Sequence, residues 1–297
     1  MRVFSILAAA IALASSSLAQ SAPPEDPATL VRETVYNELH DHQGHGYFRY
    51  WVERGSGGET RLEEQVETKD GPITRVFLCN GNPLDQHARQ DEDARLRDLL
   101  SSPSRQASLR EAYLQDERRI GRILALLPDA FVYRDAGMDN GNRHLRYTPN
   151  PNYSAHTIEA RFFHTLSGDL WIDARMKRLR RLEGRMYENL DIGFGLLGRV
   201  NKGGWFLLVR TQVSPTDWKT AQLQMHISGK MLMFKTLVRE TNETRGGFES
   251  VTAGLSLAQG LRVLDESLAT HQADADAFFR PAHTDPRAAS RASRMIP

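Results

Sequence analysis

The feature that most constrains this chain is its second half. There, short runs of β-forming residues follow one another with little but turn chemistry between them. After Ala130 the candidate strands span 131–135, 143–148, 157–166, 170–174, 179–188, 205–213, 218–228 and 231–239. Ser167-Gly168-Asp169, Ser214-Pro215-Thr216-Asp217 and Ser228-Gly229-Lys230 read as tight connections between them. Sequential hairpins of this kind predict a large twisted antiparallel sheet, curled or partly closed.

Three further strand-like runs, 46–54, 59–68 and 73–79, are joined by GSGG and KDGP and read as a meander, which brings the expected total to about eleven. Helices frame the strands. Asp26 is placed to cap a first helix, Pro27 suits its first position, and Val31, Val35 and Leu39 repeat along one face. Residues 85–127 break the β pattern and read as a two-helix insertion, whose second helix carries Leu109, Tyr113, Ile120, Leu124 and Leu127 on one stripe and ends at Pro128. A last helix starts at Ser256, which has capping-box spacing to Gln259, and continues with Leu257, Leu261, Leu264 and Leu268. The expected fold class is α+β: a large curved antiparallel sheet, an unclosed half-barrel, covered by helices. One domain over residues 26–269 accommodates it.

Charge and cysteine content narrow the function. In 297 residues, 38 basic side chains face 37 acidic ones, so the chain lacks the electrostatic footprint of a nucleic-acid binder. A single Cys excludes an internal disulfide and a Cys-based zinc cage. Arg2, the apolar run 3–14 and Ser17-Leu18-Ala19 form the pattern of a secretory signal peptide over residues 1–19, which predicts export to the periplasm. The run is short for a spanning helix and no Cys follows it, so the expected mature chain has neither a transmembrane nor a lipoprotein anchor. Residues 271–297, with few apolar anchors, read as a disordered tail.

Alternation assigns faces to the strands. Ile158, Ala160, Phe162 and Leu166 share one phase, continued by Leu170, Ile172 and Ala174, then by Leu182 and Met186. Trp205, Leu207 and Val209, and then Ala221, Leu223, Met225 and Ile227, are read as its extension. Arg210, Gln222, Gln224 and His226 take the opposite phase. Such a stripe is usually core. Its large soft side chains also suit an adaptable apolar cavity, for which the candidate ligand-binding residues are Phe162, Ile172, Met186, Trp205, Leu207, Leu223 and Met225.

The stretches 66–84 (VETKDGPITRVFLCNGNPL), 126–131 (LLPDAF) and 168–185 (GDLWIDARMKRLRRLEGR), together with 196–206, 228–236 and 255–261, resemble the LolA/LolB-like superfamily. More closely, the chain resembles secreted bacterial members of unknown function often labelled outer-membrane lipoprotein-sorting-like proteins. The resemblance implies a half-open barrel whose concave apolar face is lidded by helices and holds acyl chains, with a lipid or lipidated protein as the partner. None of the carriers' functional residues maps onto a position here, and the 85–127 insertion departs from the simpler carriers. The alternative is a non-catalytic envelope scaffold or sensor that binds a protein partner.

Other motifs carry less. Residues 193–198 spell GxGxxG but join antiparallel strands, where a dinucleotide site needs a parallel strand and a helix. His40, His42 and His45 form the one imidazole-rich cluster, at a helix-to-strand junction where polar residues are ordinary. Cys79 ends an apolar strand without an identifiable activating partner. HExxH and GxSxG are absent from the sequence, while Glu63, Glu64, Asp169, Asp173 and Glu183 are the paired-carboxylate candidates. The run 177–181 (KRLRR) is either a solvated hairpin or a contact for anionic headgroups. The reading therefore assigns no catalytic residue, metal or cofactor.

Overall fold

The computed structural model describes residues 25–40, 46–192, 197–231 and 235–270. The expected signal peptide, the tail, His42, His45 and most of the GxGxxG run lie outside them. Helix α1 (Pro27–His40) opens the chain, and the Thr29 amide donates to Asp26 Oδ2 at 3.0 Å, so Asp26 is its cap. Next come β1 (Tyr47–Ser56), β2 (Glu59–Val66), β3 (Ile73–Cys79) and the short β4 (Asn82–Pro83), then helices α2 (Gln86–Ser101) and α3 (Pro103–Ala130). The second run comprises β5 (Phe131–Asp139), β6 (Asn142–Pro149), helix α4 (Ile158–Phe163), β7 (Leu166–Asp173) and β8 (Leu179–Met186). It continues through β9 (Leu190–Ile192), β10 (Gly198–Val200), β11 (Trp205–Gln212), β12 (Trp218–Met231) and β13 (Lys235–Val251) to helix α5 (Leu257–Thr270).

All the strands join one antiparallel sheet in the order β4-β3-β2-β1-β13-β12-β11-β8-β7-β6-β5, with β10 and β9 attached beside β12. The edges β4 and β5 do not pair with each other, so the sheet is open, as the α+β half-barrel reading expects. No helix of the described residues is long and apolar enough to cross a membrane.

Several element readings are corrected. Residues 158–163 are helical rather than strand, with the Ala160 amide donating to Thr157 Oγ1 at 3.1 Å as the cap. Pro128 lies inside α3, which ends two residues later. Ser167-Gly168-Asp169 and Ser228-Gly229-Lys230 are strand interior, and β13 runs on to Val251. The glycines in those two tripeptides mark close approach rather than turns. Gly168 pairs directly with Gly184, and a methyl on Gly168 would sit 2.0 Å from the Glu183 carbonyl oxygen. A methyl on Gly184 would sit 2.3 Å from Tyr147 Oη, which lies over the pair and donates to the Glu183 carbonyl at 2.9 Å. At Gly229 a methyl would meet the Arg199 carbonyl oxygen at 2.4 Å.

Helices occupy both faces. On the inner face, Leu30, Val31 and Val35 of α1, Leu127 of α3 and Phe163 of α4 close over Leu145, Tyr147, Leu166, Leu170 and Met186 of β6–β8. Glu38 of α1, 3% exposed, locks this arrangement: it accepts from Arg178 at 3.2 Å, from the Leu179 amide at 2.9 Å and from Arg210. On the outer face, Leu257 and Leu264 of α5 and Leu96 of α2 cover Val66 and Ile73. Gly260 lets α5 settle there, since a methyl at that position would reach Ile73 and Thr68 at 2.9 Å. Helix α2 also covers the β3 edge. Glu92 accepts from the Val76 amide at 2.9 Å and Arg95 donates to the Thr74 carbonyl at 2.7 Å, so side chains stand in for a missing strand.

Helix α3 shows which way the sheet bends. Near its start, Arg110 is 3.5 Å from Asp70, and Leu109 and Tyr113 lie against Gly71 in the β2–β3 turn. Its end runs directly into β5, on the far side of the sheet and at the opposite strand ends. From β2 to β5 there are eight inter-strand steps, roughly 38 Å along the sheet. Helix rise gives only about 26 Å from Tyr113 to Ala130. A straight helix can join these places only as the chord of an arc, so the inner face is concave.

Candidate functional site

The concave face divides into three stretches. Over β5–β8 it is closed by the core just described. At the other end Phe48, Tyr50 and Val52 of β1 pack with Val213 and Phe248. Between them, register brings together Leu208 of β11 and Leu223 of β12, and Phe206 and Met225. Alternation adds Ile227, so apolar side chains run along the inner face of β11 and β12 over on the order of 13 Å. Phe206 and Leu208 touch the β5–β8 core, whereas Leu223, Met225 and Ile227 are half-buried and join none of the core clusters of the described residues.

Helix α3 runs from the β2–β3 turn to the start of β5. Every residue from Glu111 to Ile120 is exposed, including Leu114 and Ile120, although the helix is anchored at both ends. An amphipathic helix packed on a sheet buries one face along its length. Here residues 111–120 are exposed and none of them joins the core clusters of the described residues, although Tyr113 lies against Gly71.

One end of this apolar strip meets a polar group. Leu223 pairs with Glu243 of β13, which pairs with Arg54 of β1. Arg245 Nε donates to Glu243, Arg54 Nε lies 3.3 Å from Glu243 and 3.7 Å from Glu63, and the Arg245 guanidinium sits over the Tyr50 ring at 5.8 Å. Gln65 donates to Tyr50 Oη. Lys219 donates to both Glu67 carboxylate oxygens, at 2.8 and 2.9 Å. Burial holds the Tyr50 phenol far above its ordinary range, against the pull of Arg245, so it stays protonated. Burial also pushes the Glu63 carboxyl up, opposed by Arg54.

The seven sequence-nominated residues separate on this frame. Ile172 and Met186 are 0% and 2% exposed and belong to the closed core. Phe162 lies on α4 and flanks that core. Leu223 and Met225 lie on the half-buried inner-face stretch between the cores. Trp205 and Leu207 are on the other side of the sheet: Trp205 pairs with Arg185 and His226, and Leu207 with Glu183 and Gln224, all on the outer face. Phe206 and Leu208 hold the inner positions assigned to those two, and Arg210 points inward to Glu38. Sequence reasoning also missed Tyr50, Arg54, Glu243, Arg245 and Phe248. The one trace of the group in the sequence was the alternation of Glu243 and Arg245 within a strand cut short at 239.

The other motifs resolve into structural roles. Trp171 is stacked on His144 at 4.4 Å, covered by Arg181 at 5.0 Å, and donates through Nε1 to Asp139, so this outer-face aromatic is enclosed. Asp169 is taken by His144 at 2.6 Å, Glu183 by Arg181, and Asp173 by the amides of its own turn. Glu63 and Glu64 face opposite sides of β2. The basic run is dispersed: Lys177 pairs with Glu25, Arg178 is buried on Glu38, and Arg180 donates to the Arg210 carbonyl. His40 is stacked on Tyr36, and no group of His, Cys, Asp or Glu able to hold a metal occurs among the described residues. Cys79 is half-buried with a free thiol. Comparison of the chain with protein-family models, with curated proteins and with solved structures gives no match.

Proposed function

We propose that the protein is a binding or carrier module for a hydrophobic ligand, a lipid or the acyl chain of a lipidated partner, held between the concave face and α3. The observation that carries this reading is the strip Leu223–Met225–Ile227 on the concave face, half-buried and in none of the core clusters of the described residues, together with the exposed middle of α3. Partly exposed apolar side chains gain about 25 cal/mol per Å² when an acyl chain displaces water from them. The LolA/LolB-like sequence features and the signal-like leader agree with this reading and make the periplasm the compartment in which it would act.

The test uses full-length protein and hexadecanol, an uncharged long-chain probe, with displacement of an apolar fluorophore as readout. Binding that Met225→Glu weakens at least tenfold and Trp205→Ala leaves unchanged is the expected result. Equal loss in both variants, or no binding by the unaltered protein, overturns the reading.

A further inference from the structure

Arg245 has donors left over. Its Nε is taken by Glu243, but among the described residues no acceptor takes a hydrogen bond from either terminal nitrogen. Tyr50 Oη accepts from Gln65, and among those residues its own proton has no acceptor. Both groups stand on the concave face beside Phe248, Arg245 one strand and Tyr50 two strands from Leu223. We infer that this corner is a headgroup subsite: the Arg245 fork and the Tyr50 hydroxyl receive the carboxylate of a long-chain fatty acid whose tail lies along Leu223, Met225 and Ile227. This rests on the reading of the concave face as an apolar binding site.

Geometry and charge both select a single carboxylate. A guanidinium edge presents two parallel N–H groups that match two carboxylate oxygens, and a phenol adds a third donor. The nearby ion pairs couple Arg54 and Arg245 to Glu243, Arg54 to Glu63 and Lys219 to Glu67, and Arg61 and Arg95 also draw on Glu63. One added negative charge meets unused donors. A doubly charged phosphate monoester would bring a second negative charge beside Glu243 and Glu63.

The experiment compares palmitate, hexadecanol and hexadecyl phosphate on the same full-length protein above neutral pH. The expected result is palmitate binding at least tenfold tighter than hexadecanol and tighter than the phosphate. Arg245→Gln should bring the acid-to-alcohol ratio close to one, and Tyr50→Phe should lower it several-fold, with hexadecanol affinity unchanged in both. Equal affinity for acid and alcohol in the unaltered protein overturns the headgroup subsite and leaves the apolar site standing. A preference that survives Arg245→Gln, or tighter binding of the phosphate, also overturns the subsite. Failure to bind any of the three overturns the apolar site itself. The ratio in the unaltered protein does not depend on any variant folding.

Discussion

Single side chains fix the geometry of this sheet where backbones come closest. Gly168 and Gly184 face each other across β7 and β8 with Tyr147 laid over them, so neither position has room for a methyl group. The obstacle at Gly184 includes the movable ends of Tyr147 and Phe206, whereas at Gly168 it is the Glu183 backbone carbonyl. Gly184→Ala should therefore cost about 1–3 kcal/mol and Gly168→Ala more, measured by urea unfolding. Equal costs would show that the strands separate as easily as the rings turn. Glu38 is the second sensitive point. Glu38→Ala removes the acceptor shared by Arg178, the Leu179 amide and Arg210, and should cost about 1–3 kcal/mol in the same assay. A loss below 1 kcal/mol would mean that α1 is held by its apolar face alone. Little of this was visible beforehand. A glycine between polar residues reads as a turn, and whether it instead admits a ring from a neighbouring strand depends on what lies opposite.

Among the elements, helices were the more legible. The Asp26 cap, the Ser256–Gln259 capping box and the Leu257–Leu264 stripe carry their signals within a few residues, and each forms as the local chemistry dictates. Helix α2 owes its place to polar contacts with the β3 edge, which gives that edge a pH dependence. Burial pushes the Glu92 carboxyl up, but hydrogen bonds from Arg95 and the Val76 amide, with the charges of Arg95 and Arg75, outweigh it and hold the group below its ordinary 4.5. A carboxyl lowered in the folded state contributes stability above the ordinary value and loses it as pH falls through the folded one. Unfolding free energy should therefore drop as pH is lowered below about 4.5, and the drop should be shallower in Glu92→Gln. Parallel pH curves for the two proteins would remove this role. Helix α3 is the contrasting case. Leu114→Glu combined with Ile120→Glu should shift stability by no more than about 0.5 kcal/mol, because both side chains are exposed.

Across the whole molecule, packing is uneven. One dense core lies under α1, α3 and α4 at β5–β8, others lie at β1–β3, and the inner face of β12 and β13 between them is thinly covered. Hydrogen exchange should find the amides of β7 and β2 among the slowest and those of central β12 faster, with palmitate slowing β12 selectively. Uniform protection across the sheet, with or without ligand, would contradict this picture. The sequence by itself determined the composition of the parts: helices at each end and in the middle, strands in serial hairpins, an open antiparallel sheet and an apolar stripe. These follow from turn residues, caps and periodicity, which act over a few positions. Only the tertiary structure decided which side each strand presents. In WFLLVR of β11 both phases are apolar, so alternation is silent, and pairing with Glu183 and Gln224 turned Trp205 and Leu207 outward and Phe206 and Leu208 inward. The concavity, the half-buried apolar strip on β12 and the meeting of Tyr50 with Arg245 arise in the same way. They depend on register between strands far apart in the chain, and a one-residue change of register exchanges the two faces.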